Sequence, residues 1–268
     1  MKKISKGIRY LQLLLPLLLF NLLNAQLNYS GSLNPGNMYR LSDQSEISLP
    51  FRVAEAEVGY SLGDFEIKTN SAFEYRWSNN ENELQLREAY ITWYPNWGEV
   101  KVGKQIHAWG AVDGNNPTDN LNPYDYYYMF LSGAERKVGT VSGSVKYYWN
   151  DWQMEGVFIP EHEGNRFPFG EEAFPLDIPM VAPKLMDEES GSEFGFRLQS
   201  TLGSSDFSLS YFDGRDRSFS NVGVTDSMPS FIYRKTSVLG FDLVSFIGEF
   251  TNRFEIAHFS TKIDVNPD

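Results

Sequence analysis

The stretch from 65 to 77 reads Phe65-Glu66-Ile67-Lys68-Thr69-Asn70-Ser71-Ala72-Phe73-Glu74-Tyr75-Arg76-Trp77, and it alternates with a period of two. Most odd positions are apolar or aromatic, whereas most even positions carry charged or amide side chains. Successive side chains of a β-strand point to opposite faces, so the pattern predicts a strand with one apolar and one polar face. The segment is longer than the usual five or six residues of a globular strand, and its length suits a strand tilted across a bilayer.

The same alternation recurs in three further segments, which predict strands at 52–62, 137–149 and 194–198. The connections between predicted strands alternate between short and long. The short ones lie at 63–64, 95–98, 150–151 and 203–205, the long ones at about 110–134, 160–192 and 213–229, and one of intermediate length lies at 78–83. Transmembrane β-barrels have short periplasmic turns and longer outer loops, and this spacing matches them.

The first 25 residues have the three parts of a secretory signal peptide. Four basic residues precede an apolar block from Leu11 to Leu23, and Ala25 offers a small residue for cleavage before Gln26. The block is too short and interrupted for a membrane-spanning helix, and no comparable run follows it. The sequence therefore predicts export, with any membrane crossed by strands.

Composition narrows the class of protein. The chain contains no Cys, which excludes disulfides, thiol catalysis and a lipid-attachment cysteine. Removal of the signal peptide leaves 19 basic against 35 acidic residues, a net charge of −16, so nucleic acid is not an expected partner. Aromatic residues make up 15% of the chain, and many Trp and Tyr residues fall near predicted strand ends, where the interfacial girdle of a barrel lies.

These features predict an all-β fold, an antiparallel transmembrane β-barrel. A secreted or periplasmic β-sandwich that binds glycans through exposed Trp and Tyr is the alternative. About ten or eleven strands are expected between Gln26 and Asp268, and residues 263–268 read as a loop. Because bacterial barrels close with an even number of strands, we expect residues 26–268 to be the N-terminal part of a larger barrel.

A dense polar motif occupies residues 86–125. It contains Leu86-Arg87-Glu88-Ala89-Tyr90, Gly103-Lys104-Gln105, Trp109-Gly110, Asp113-Gly114 and Asn122-Pro123-Tyr124-Asp125, with Glu135-Arg136 and Tyr147-Tyr148 downstream. In this order the motif resembles a porin-like family of Gram-negative outer-membrane β-barrels of largely unknown function, over about residues 86–160. The resemblance implies a barrel that passes small or hydrophobic solutes.

The residues of this motif also allow an interpretation of their own. On a strand expected to end at Trp109, the side chains of Lys101, Gly103, Gln105 and His107 share the face that points into the lumen. The loop that follows could fold inward as a constriction, with its carboxylates facing Lys104 or Arg87. Alternatively, its Asp and Asn residues only close turns, a role we favour for most of them; Asp113 and Arg87 are the exceptions to test first. The predicted constriction residues are Arg87, Glu88, Lys104, Gln105, His107, Asp113, Asp119 and Asp125.

Charged residues on the polar faces of other strands predict the wall of the lumen. Arg253 and Glu255 share one face near the end of the chain and would form a charge ladder across strands. The predicted wall residues are Glu55, Glu57, Glu66, Glu74, Arg253 and Glu255. Together with the negative net charge, they predict a weak preference for cations.

Catalytic and metal-binding motifs are not found in the sequence. The chain has no Gly-x-Ser-x-Gly elbow, no His-Glu-x-x-His and no phosphate-binding loop, so we expect neither an enzyme nor a cofactor. A calcium loop starting at Asp113 would have Thr118 where an EF-hand needs Gly and Tyr124 where it needs Glu, so we assign no metal site. The acidic positions 161–163, 171–172 and 187–189 are interpreted as solvated loops.

The sequence therefore predicts a passive, porin-like protein of the outer membrane. Its expected partners are outer-membrane lipid and lipopolysaccharide, the barrel-assembly machinery and small solutes. A third possibility is a barrel that acts mainly as a scaffold or attachment protein through its loops.

Overall fold

The computed structural model describes residues 26–112, 116–131, 133–172, 174–176, 181–186, 191–225 and 228–263. The predicted signal peptide, Asp113, the acidic run 187–189 and the final residues 264–268 lie outside these ranges. Within them, no helix is long and apolar enough to cross a membrane. The described elements are β-strands and two short 3-10 turns, Tyr126–Tyr128 and Gly133–Arg136.

Eleven strands form one antiparallel sheet, in which almost every strand pairs with its neighbours in sequence. The sheet order is β1-β2-β3-β4-β5-β6-β7-β8-β9-β12-β13, and β10 and β11 form a separate hairpin. The strands are β1 (Gln26–Leu33), β2 (Phe51–Leu62), β3 (Phe65–Arg76), β4 (Glu81–Trp93), β5 (Gly98–Gln105), β6 (Thr140–Trp149), β7 (Trp152–Ile159), β8 (Glu193–Leu202), β9 (Ser205–Arg215), β10 (Ser220–Thr225), β11 (Met228–Ile232), β12 (Lys235–Ile247) and β13 (Phe250–Lys262). The all-β antiparallel fold is confirmed, and the sheet has the expected number of strands.

The two faces of the sheet reverse the usual pattern of burial. Large apolar side chains such as Ile67, Phe196 and Leu209 are about half exposed on the outer face. Polar side chains such as Glu74, Thr140 and Ser208 are buried on the inner face. In a water-soluble sheet the apolar face turns inward, so this inversion is the pattern of a barrel wall whose outer face meets lipid.

The connections divide by length as predicted. Turns of two to four residues lie at one end of the sheet, at 63–64, 94–97, 150–151, 203–204 and 248–249, and several have a Gly with positive φ, such as Gly63 and Gly203. At the short-turn end, Phe65, Trp93, Trp97 and Tyr147 form a chain of ring contacts with centroids 6.1–6.3 Å apart. These exposed rings form the predicted aromatic girdle at that end.

Some predicted boundaries are wrong. The strand predicted from Lys137 begins at Thr140, and the strand predicted to reach Trp109 ends at Gln105. The predicted loop 78–83 is only a turn, because β4 already begins at Glu81. The long connection after β9 contains the β10–β11 hairpin, which alternation alone did not indicate.

Candidate functional site

Between β5 and β6, the described residues 106–112, 116–131 and 133–139 leave the sheet and lie on its inner face; we call them the inner segment. Asn122 is buried in the middle of this segment, and its side chain forms hydrogen bonds with both ends of the segment. The Asn122 side chain accepts a hydrogen bond from the His107 amide at 2.6 Å and donates to the carbonyls of Gln105 and Val138 at 3.0 Å each. One amide side chain thus holds the exit from β5 beside the entry to β6.

Apolar packing holds the inner segment against strands β7, β9 and β12 of the sheet. Trp109 and Leu121 form a buried cluster with Val157 of β7, Phe212 of β9 and Val238 of β12. Glycines of the wall leave the space that this packing needs. A Cβ at Gly195 would lie 2.8 Å from both Leu121 and Trp109, and one at Gly240 would lie 2.7 Å from Thr118. The wall therefore has small residues where the inner segment is large.

Glu255 of β13 holds the inner segment from the opposite edge of the sheet. Its carboxylate accepts hydrogen bonds from the amides of Ala111 and Val112, the latter at 2.7 Å, and from the Thr118 hydroxyl at 3.1 Å. In the sheet, Glu255 lies opposite Asp242, which pairs with Arg197 at 3.2 Å. Glu255 therefore binds the inner segment, which the predicted Arg253–Glu255 charge ladder did not include.

Asp119, His107 and Lys137 are among the titratable side chains of the inner segment that are almost completely buried. Asp119 forms an ion pair with Lys137, whose ammonium group also donates to the His107 carbonyl at 2.6 Å. Burial raises the pKa of Asp119, although the Lys137 charge opposes this. Burial and the nearby Lys137 charge lower the pKa of His107 to about 3, and its imidazole lies 3.0 Å from the Ser142 hydroxyl. His107 is thus neutral in the folded protein at physiological pH.

Asp125 joins the inner segment to β2 and β3 through a four-charge cluster. Arg166 lies 2.9 Å from Asp125 and 3.2 Å from Glu74, and Arg52 lies 3.3 Å from Asp125. The Arg52 guanidinium also stacks over the ring of Tyr128 at 3.8 Å. Asp125 additionally accepts from the Tyr127 amide and so begins a 3-10 turn, which is the turn role considered for it.

The Arg87-Glu88 pair lies at a shift in strand register, and this explains why two charged residues are adjacent. Asn70 pairs with Glu88 while Ser71 pairs with Leu86, so Arg87 is the extra residue of a bulge. Both side chains then turn inward. Arg87 donates to the carbonyl of Ala134 at 3.0 Å and to Glu135 at 3.3 Å, and Glu88 accepts from the Ile106 amide at 2.9 Å. Both residues hold the inner segment.

The remaining predicted residues lie at different levels of the interior. Gln105 is buried and donates to the Ser142 carbonyl at 2.9 Å, and Lys104 is half-buried. Glu57 pairs with Lys68 at 2.9 Å, Glu55 lies 3.6 Å from Arg87, and Glu66 accepts from Tyr94 at 2.7 Å. Arg253 is exposed. The constriction alternative placed the loop carboxylates opposite Lys104 or Arg87. In the structure, Asp119 instead pairs with Lys137, and Asp125 pairs with Arg52 and Arg166.

Sequence reasoning missed several charged residues that organise the interior. Buried Glu193 accepts from Arg217 at 2.5 Å and contacts His162 at 2.8 Å, while Arg217 also donates to the Leu121 carbonyl at 2.8 Å. One signal was available for Arg52. It has the parity of Ala54 and Ala56, so strict alternation would put a charge on the apolar face, and a shift in register at Val53 turns it inward instead.

The fold and this site define a class of protein. It is a β-barrel protein whose antiparallel wall is apolar on the outside and whose interior holds an inward-folded segment fixed by buried charges. Two solved structures are similar in fold. OmpT, an outer membrane protein of Vibrio cholerae, matches with a TM-score of 0.45 and 12% identity over 91% of this chain and 64% of that one, so the chain spans less than two thirds of OmpT. OmpF of Salmonella typhi, solved in complex with daunomycin, matches with a TM-score of 0.35 and 11% identity over 88% and 77%.

At such low TM-scores the assignment of the fold rests on strand order and burial alone. No family model matches the chain, and no curated protein matches it by sequence. The resemblance of the 86–160 motif to a porin-like family therefore stays a prediction.

Proposed function

We propose that the chain is an outer-membrane β-barrel protein that acts as a passive, porin-like conduit for small solutes. The observation that carries the proposal is the inverted burial of the eleven-stranded sheet, with half-exposed Ile67, Phe196 and Leu209 outside and buried Glu74, Thr140 and Ser208 inside. An apolar outer face of this extent is stable where lipid covers it. The signal peptide predicted from residues 1–25 supports export to that membrane.

The inner segment would act as the constriction of the conduit. It narrows the interior beside charged groups of both signs, and such charges lining a narrow passage set ion selectivity. Half-buried Glu57, Glu66 and Glu99 lie on the wall towards the short turns, among Lys68 and Lys101. With the net charge of the mature chain, they favour weak selectivity for cations.

The two alternative functions have less support. A β-sandwich has two sheets packed around an apolar core, whereas the main sheet here has consecutive strands and a polar inner face. An attachment protein would present its long connections outward, whereas much of the inner segment is buried. No step of catalysis is proposed, because interior carboxylates such as Asp119, Asp125 and Glu255 already pair with Lys or Arg side chains or accept from backbone amides.

Planar-bilayer recording with purified, heat-modifiable protein tests the proposal. We expect channel events and, across a potassium chloride gradient, a reversal potential that indicates weak cation preference, because carboxylates outnumber cations in the mature chain. Asp113→Asn, at the residue that the sequence analysis singled out in the loop after Trp109, should reduce that preference, and Glu249→Gln, in the short turn between β12 and β13, serves as the control. Folded protein that gives no channel events would contradict a conduit.

A further inference from the structure

The barrel wall has a gap beside residues 81–88 of β4, the half of this strand that lies away from the short turns. In the described ranges, β5 pairs with β4 only from Ala89 to Trp93, and β5 ends at Gln105, where the chain turns inward. The other half of β4, from Glu81 to Glu88, is paired with β3 alone. Gly139 packs against β4 at one edge of the gap, because a Cβ there would lie 2.1 Å from the Arg87 carbonyl oxygen.

A recess of about 310 Å³ lies in this gap. Its lining includes Leu84 and Leu86, which are exposed on the outer face, and also Arg52 and Asp125, which are buried in the interior. Residues of both faces of the sheet therefore meet at this recess.

The inner end of the recess is lined mainly by cationic side chains, of which all but Lys104 also pair with a described carboxylate. Five cationic residues line it, against two carboxylates, Glu83 and Asp125; the cations are Arg52, Arg87, Lys104, Lys137 and Arg166. Both the Arg52 and the Arg87 side chains are more than nine-tenths buried. Their Nε atoms have no hydrogen-bond partner among the described residues. A buried guanidinium N–H without an acceptor is costly, and an anionic group in the recess would supply one.

The outer end of the recess lies at the level of a bilayer's outer leaflet. At the usual rise and tilt, β4 climbs roughly 23 Å from girdle residue Trp93 to Leu84, close to the full height of about 25 Å of an apolar band. Leu84 pairs with Phe73, just below Tyr75 and Trp77, whose rings meet at 4.8 Å. An amphiphile that enters here could keep its tail in lipid beside Leu84 and Leu86.

From these observations we propose that the recess between β4 and the inner segment binds the anionic head group, carboxylate or phosphate, of an amphiphile whose tail lies against Leu84 and Leu86. The proposal rests on the membrane location proposed above and adds a ligand class to it. Arg87 and Lys104 would bind the head group directly.

Photolabelling in phosphatidylcholine nanodiscs tests the site. Full-length protein, first shown to be incorporated and heat-modifiable, is irradiated with a diazirine derivative of dodecanoate, and labelled peptides are mapped by mass spectrometry. We expect label in residues 83–87 or 138–139, competed by unlabelled dodecanoate but not by dodecanol, which lacks the charge. Competition by lipid A would assign the site to outer-leaflet phosphates, and its absence to free carboxylates.

Lys104→Gln is the first variant, because Lys104 is half-buried and forms no ion pair with a described carboxylate, so its loss should not unfold the wall. It should raise the half-competing concentration of dodecanoate about tenfold, the effect of one charge-assisted hydrogen bond. Lys68→Gln is the control, because Lys68 pairs with Glu57 and does not line the recess. This variant should leave the half-competing concentration of dodecanoate unchanged.

Labelling outside the recess, equal competition by dodecanol, or an unchanged Lys104→Gln variant would overturn the proposal. If the chain is incorporated and folded but takes no label in the recess, the ligand site fails while the membrane barrel stands. A chain that stays water-soluble would contradict the membrane location itself.

Discussion

At the scale of single residues, the interior depends on side chains that bind backbone groups of the inner segment. Asn122, Glu255 and Arg87 each satisfy amides or carbonyls that would otherwise be buried unpaired. A segment without regular secondary structure is stable inside a barrel only if such groups are satisfied. The inner segment is thus a built part of the fold.

Glu255 gives the sharpest residue-scale prediction. Glu255→Gln keeps the size of the side chain but removes the charge that accepts hydrogen bonds from Ala111, Val112 and Thr118. We expect the free energy of unfolding in urea to fall by about 1–3 kcal/mol. Glu57→Gln is the control, because its ion pair with Lys68 is partly exposed and should contribute less than about 1 kcal/mol. Equal effects of the two changes would contradict the role given to Glu255.

His107 predicts a dependence of stability on pH. Its folded pKa of about 3 lies below the ordinary value of 6.5, so between these pH values the unfolded chain binds a proton that the folded chain does not. The free energy of unfolding should therefore fall with decreasing pH, with up to about 1.4 kcal/mol per pH unit due to this group.

His107→Gln should remove that part of the slope. Urea titrations at several pH values would then show wild-type and variant curves that are parallel above pH 7 and converge or cross below pH 6. Curves that stay parallel down to pH 4 would show that His107 is not buried in the neutral form.

At the scale of elements, alternation predicted strands β2, β3, β5, β6 and β8 and their faces, because parity along a strand is a local property of the sequence. Register was not predictable in the same way. The bulges at Val53 and Arg87 depend on how two strands pair, and the end of β5 at Gln105 depends on contacts of Asn122 that form only after folding. The ion pairs of Asp125 with Arg52 and Arg166 join distant parts of the chain, which one sequence does not reveal.

The two faces of β8 give a prediction at the element scale. Phe196 is about half exposed on the outer face, whereas Gln199 is half-buried on the inner face. Phe196→Arg should reduce the free energy of unfolding from liposomes by about 2–4 kcal/mol if the residue lies near the bilayer midplane, whereas Gln199→Arg should be tolerated. Ala72, which alternation also places inside, is fully buried and is no suitable control. Similar costs at both positions would contradict the face assignment.

At the scale of the whole molecule, the wall and the inner segment depend on each other. Strands β2, β7, β9, β12 and β13 all contact the inner segment through buried apolar or charged side chains. The segment fills the end of the interior near the long connections, whereas half-buried charges line the other end. In the proposed conduit, the inner segment would form the narrow level.

The central claim is that the outer face of the sheet meets lipid, and spin labelling tests it most directly. The chain has no Cys, so single cysteines can be introduced from 66 to 73 along β3 without a background. In liposomes, we predict that labels at 67, 69, 71 and 73 are accessible to oxygen dissolved in lipid, while labels at 66, 68 and 70 are not. Oxygen accessibility without this alternation, in a protein shown to be folded, would contradict the account.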